Sequence, residues 1–146
     1  MGALFPIIIV LLAGVGLAVQ PPTNAALAKA SGSVWLASLV SFAMGTAVLF
    51  AIWAAVDRTM PSTLRGTPWW AWLGGLYGAC FVAALAYATP RLGLASAVTL
   101  AVGSQIVTAL VLDRFGLLGL TAQPISLARI GGVLLVIAGV VLVRAG

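Results

Sequence analysis

The sequence has no histidine, one cysteine and only two acidic residues among 146 positions, and each shortage removes a class of function. Cys80 alone cannot form an intrachain disulfide or a thiolate metal site. Without histidine, and with Asp57 and Asp113 far apart along the chain, the usual parts of hydrolytic, metal-dependent and nucleophilic catalysis are missing. The sequence therefore predicts no enzyme, no catalytic residue, no bound metal and no cofactor. Charge is scarce as well, at 6% of residues against 63% hydrophobic. Soluble domains carry about 25% charged residues, and one of this size needs polar surface that the chain lacks. A bilayer removes that need.

The net charge of +5 comes from Lys29 and six arginines. Nucleic-acid binding would gather such charge into a patch. Here the basic residues stand singly between apolar stretches, where helix ends meet headgroups, so no nucleic-acid partner is expected. Residues 2–20 have the length of a signal peptide. Met1 is followed by no Lys or Arg, however, and no small-residue cleavage site precedes a soluble domain, so a retained helix is expected.

What the chain has in abundance is apolar sequence. Five runs stand out, at 3–19, 34–56, 69–88, 92–112 and 125–143. Each approaches the ~20 residues that cross a ~30 Å hydrocarbon core as a helix. The expected fold class is all-α and integral to the membrane, a single five-helix transmembrane domain over 1–146. Pro61, Pro68, Pro90 and Pro124 fall at or near run ends, and Trp69, Trp70 and Trp72 gather at the start of the third run, where indoles favour the interface. Thr89-Pro90-Arg91 reads as a tight turn between antiparallel neighbours. An odd number of spans puts the termini on opposite sides. Arg58, Arg65, Arg114 and Arg129 then share one side, and Lys29, Arg91 and Arg144 the other. Four against three is a slight bias under the positive-inside rule, which leaves insertion in both senses open beside a fixed topology.

Polar residues within the runs are the site candidates. Pro21 and Pro22 lack amide hydrogens and are expected to interrupt the first helix, freeing carbonyls near Leu17 and Ala18. Gly16, Gln20 and Asn24 share one face at helical spacing, where Gln20 and Asn24 either line a solute path or cap the helix end. Ser38, Ser41 and Gly45 form a stripe suited to close helix packing or to lining the path. Ser104, Gln105 and Thr108 occupy one sector of the fourth helix. A glutamine amide in hydrocarbon is costly unless paired, so Gln105 is expected to face protein or water. Gly74, Gly75 and Gly78 in the third run, and Gly131, Gly132 and Gly139 in the fifth, suit helix packing. Tyr77 and Tyr87 can each offer a hydrogen bond to a solute, and an interfacial anchor explains Tyr87 equally well. Arg129 is expected to snorkel to the interface and pair with Asp113, with an anion-attracting site as the alternative.

Read in order, Ala84-Leu85-Ala86-Tyr87, Ala95-Ser96-Ala97, Asp113-Arg114-Phe115-Gly116 and the stretch from Gly131-Gly132 to Gly139 are similar to the repeat of the drug/metabolite transporter superfamily. Three further features bring the chain nearer to the half-size, five-helix YdcZ family: Gly14-Val15-Gly16-Leu17-Ala18-Val19-Gln20, Trp69-Trp70 before the glycine-rich third run, and Ala101-Val102-Gly103-Ser104-Gln105 through Leu112-Asp113. The resemblance covers nearly the whole chain. It implies small-molecule transport at a bacterial inner membrane, with two half-size chains paired antiparallel into an inverted repeat. The second chain would be another copy or a close homologue. The small multidrug exporters of that superfamily use a glutamate in their first helix. No acidic residue stands there in this chain, so their proton-exchange mechanism does not carry over. The expected function is a dual-topology, homodimeric exporter of a small polar or amphiphilic solute by alternating access. A passive channel or uniporter-like pore, and a lipid-moving or accessory membrane subunit, are the alternatives.

Overall fold

A computed structural model of the chain describes residues 4–145, so Ala3, the expected first residue of the first span, lies outside the described residues. Among these residues there are five α-helices: α1 (Leu4–Ser31), α2 (Val34–Ile52), α3 (Gly74–Leu92), α4 (Leu94–Phe115) and α5 (Leu127–Ala145). Together with short helical turns that extend α2 and α3, they form five segments long and apolar enough to cross a membrane. No strand occurs among the described residues. The fold is all-α and transmembrane.

The first helix corrects the sequence reading. It does not stop near Val19 but passes through Pro21 and Pro22 and runs on to Ser31. Two prolines remove two amide donors, whereas ending the helix there would leave about four carbonyls without partners. In hydrocarbon the smaller loss wins. The Thr23 hydroxyl, placed next to the break in donors, reaches back to the carbonyls of Gln20 at 2.7 Å and Val19 at 3.3 Å. Downstream, Ala25, Ala26, Leu27, Ala28, Lys29 and Ala30 are strong helix formers that carry the helix onward. Gly32, at φ 72, finally stops it.

The second apolar run continues past α2 as a π-helical turn, Trp53–Asp57, closed by Arg58 at φ 56. There the Arg58 amide donates to the Trp53 carbonyl and its Nε to the Ala54 carbonyl, each at 2.8 Å. These donors satisfy end carbonyls where the chain leaves the apolar region. A 3-10 turn, Trp69–Leu73, leads into α3. The turn expected at Thr89-Pro90-Arg91 is also displaced. Pro90 sits inside α3, and the chain breaks at Gly93, φ 81, the one residue between α3 and α4. A proline two residues from a helix end removes only one bond, while the left-handed backbone needed for the break suits glycine.

Backbone contacts gather into two compact units, Met1–Pro90 and Arg91–Gly146. Within the first, α1 packs along α2. A Cβ on Gly78 would lie 3.3 Å from the ring of Phe42, so α3 meets α2 closely there. Within the second, α4 packs along α5, and a Cβ on Gly103 would lie 3.1 Å from Val140 and 3.9 Å from Val136. Ala37, Ala83, Ala86 and Ala97 are buried, while Phe5, Trp35 and Leu135 are about three-quarters exposed. That inversion of the soluble pattern suits lipid, where helices associate through small residues and large apolar side chains face outward.

Candidate functional site

The polar candidates form two groups, one in each compact unit. In the first unit Asn24 and Ser38 are buried, at 2% and 6% exposure, and Gln20 and Ser41 are half-buried. The four lie on α1 and α2, helices that pack together. Ser38 donates its hydroxyl to the Val34 carbonyl of its own helix at 2.9 Å. Asn24 differs: its amide nitrogen is buried and has no hydrogen-bond partner among the described residues. Leaving a buried amide donor unpaired costs about 1–3 kcal/mol, which marks this position as one where polarity is kept against stability.

In the second unit Ser104, Gln105 and Thr108 are exposed on α4. Ser104 donates to the Ala101 carbonyl and Thr108 to the Ser104 carbonyl, each at 2.8 Å. Both hydroxyls are thus satisfied inside the helix. The Gln105 side chain, at the centre of α4, is exposed and makes no hydrogen bond among the described residues. Of the glycines singled out by spacing, Gly78 meets Phe42, whereas Gly74, Gly75, Gly131, Gly132 and Gly139 face open space within the chain.

Each unit also holds a cavity. The first, about 560 Å³, is bounded by Gly32, Ser33, Val34 and Trp35 around the α1–α2 turn and by Cys80, Ala83, Ala84 and Tyr87 on α3. The second, about 470 Å³, runs between Ile106, Ala109, Leu110 and Asp113 on α4 and Arg129, Gly132, Val133 and Val136 on α5. Both volumes fall in the usual range for small-ligand sites, ~300–1,000 Å³. Asp113 and Arg129 stand 3.6 Å apart at one end of the second cavity. The Arg129 guanidinium donates to the Gln123 side-chain oxygen at 3.0 Å, and the Gln123 amide to the Asp113 carbonyl at 2.8 Å. Ser126 accepts the Arg129 amide at 3.2 Å. Sequence reading anticipated the Asp113–Arg129 pair and passed over Gln123, Ser126 and Trp35. The polar residues between α4 and α5 were the available signal for the first two.

With this geometry in place, comparison with known proteins is decisive for the family. Residues 5–142 match the family described as "Putative inner membrane exporter, YdcZ". The chain belongs to the YdcZ family. It is also 28% identical over 130 residues to the inner membrane protein YdcZ of Escherichia coli (strain K12), a match covering 86% of this chain and 85% of that protein. No solved structure matches. The chain is accordingly a multi-pass protein of the inner membrane, in a family of transporters rather than enzymes. The motifs that resemble this family therefore led to it correctly.

Proposed function

We propose that the chain exports a small polar or amphiphilic solute by alternating access, working as two copies inserted in opposite senses. The single observation that carries this reading is Gln105, an amide at the centre of a lipid-length helix with no hydrogen-bond partner among the described residues. An unpaired amide costs several kcal/mol in hydrocarbon, ~4 or more against a medium that offers no hydrogen bonds, so Gln105 needs a polar neighbour. A second copy supplies one, because a two-fold axis brings the same sector of each chain together. Ser104, Gln105 and Thr108 of both copies then offer the solute hydrogen bonds and no fixed charge, and within the first unit Gln20, Asn24, Ser38 and Ser41 do the same. The slight bias of basic residues between the two sides favours insertion in both senses. Without a carboxylate in the path, flux is not tied to protons.

The test is reconstitution in liposomes with a panel of small solutes under outward gradients. Gln105→Leu is expected to reduce flux at least about tenfold, the loss of one or more hydrogen bonds to the cargo or partner. In a Cys80→Ser background, Gln105→Cys is expected to cross-link two copies through the membrane midplane. Undiminished flux in a Gln105→Leu, Asn24→Leu double variant would remove both groups from the path. Conductance far above carrier turnover would select a pore instead. Proton-driven flux surviving Asp57→Asn and Asp113→Asn would contradict the uncoupled mechanism.

A further inference from the structure

The α4–α5 pair has a feature that the transport path leaves unused. The cavity between these helices is lined by two rows of the same periodicity, with positions three and four residues apart over two turns of each helix. Asp113 closes the α4 row and Arg129 opens the α5 row, so opposite charges meet at one end. Toward the other end the helices draw together, since Gly103 leaves no room beside Val140. The space is a wedge that begins beside the close approach at Gly103 and reaches the charged pair. Its walls are apolar, and Gly132 within it faces nothing where a Cβ would project.

A slot with an oily body and adjacent negative and positive groups at its mouth complements a molecule with an apolar tail and a headgroup of both signs. We propose that the α4–α5 wedge binds one membrane phospholipid with an ammonium–phosphate headgroup, the phosphate on Arg129, the ammonium on Asp113 and an acyl chain between the helices.

The charges sit in the last turn of α4 and the first turn of α5, where a membrane helix meets headgroups, and the wedge opens among lipid-facing surfaces. The side chains of the Asp113–Arg129 pair are 40% exposed, and ion pairs this open are weak, so a ligand offering both counter-charges can part them. Gln123 and Ser126 hold the two in register through bonds to the Arg129 guanidinium, the Arg129 amide and the Asp113 carbonyl. A purely anionic headgroup gains Arg129 but confronts the Asp113 carboxylate. The site holds whether the chain acts alone or in pairs.

The experiment is native mass spectrometry of the full chain, released from detergent after incubation with equal amounts of phosphatidylethanolamine and phosphatidylglycerol of identical acyl chains. One phosphatidylethanolamine per chain is expected, at least about tenfold over phosphatidylglycerol, the discrimination of one charged hydrogen bond. Gly132→Leu projects into the wedge from a position where the added Cβ meets nothing within 4 Å, and should lower retention by a similar factor at an undiminished melting temperature. Asp113→Asn removes the ammonium partner and should bring the two lipids to equal occupancy. Equal retention of both lipids by the native chain, or full retention by Gly132→Leu, would overturn the proposal. So would displacement of the lipid by an equal concentration of a water-soluble zwitterion such as leucine, which would make this a solute site.

Discussion

A methyl group at Gly103 would lie 3.1 Å from a Val140 methyl, a tight contact that one of the two must relieve, whereas one at Gly131 would meet nothing within 4 Å among the described residues. Gly103→Ala is therefore expected to weaken α4–α5 packing by about 1–3 kcal/mol. Gly131→Ala should change stability by less than about 1 kcal/mol, and in the favourable sense, because alanine is the better helix former. Melting temperatures in one detergent compare the two directly. Asn24 gives the opposite kind of expectation. Replacing its unpaired buried amide by the similarly branched Asn24→Leu should stabilise the chain by about 1 kcal/mol or more while reducing flux. A loss of stability with flux intact would show that the amide is structural. At this scale the sequence disclosed chemistry better than contact. Asn24, Ser38 and Gln105 were visible as polar residues in apolar runs. The role of Gly103 was hidden, because periodicity shows which face a residue occupies, and the place where two helices cross depends on the side chains of both.

Among the helices, the spans were legible because sustained apolar runs of this length have one stable form in lipid. Their ends were less so. Proline marks a helix end at Val19 and at Thr89 by rules drawn largely from helices that end in water. In hydrocarbon those rules reverse, since each carbonyl released by ending a helix lacks a solvent partner. The stops that formed, at Gly32 and Gly93, use residues able to take positive φ. The Pro21-Pro22 pair should therefore act as a local weakness in a continuous helix. Restoring the two donors with Pro21→Ala and Pro22→Ala is expected to stabilise α1 by about 1–3 kcal/mol, measurable as slower amide exchange at residues 17–26. If bending at this point serves transport, the same variant should carry solute more slowly.

For the chain as a whole, orientation rests on few charges. Arg58 and Arg65 lie together between α2 and α3, beyond the π-helical turn, and are exposed. Converting both to alanine leaves Arg114 and Arg129 facing Lys29, Arg91 and Arg144, which should shift insertion toward the opposite sense. Terminal cysteines in a Cys80→Ser background, labelled from either side of intact cells, would measure the shift. An unchanged ratio would mean that charge does not set topology here. The length of α1 bears on the membrane itself. Its 28 residues extend about 42 Å, against a hydrocarbon thickness of about 30 Å. Such a rod must cant within a thin bilayer or lift its last turns into the headgroups, and a thicker bilayer would let it stand more upright. Acyl-chain length then becomes a control on the angle of α1, and transport in vesicles of graded thickness should pass through an optimum rather than stay level.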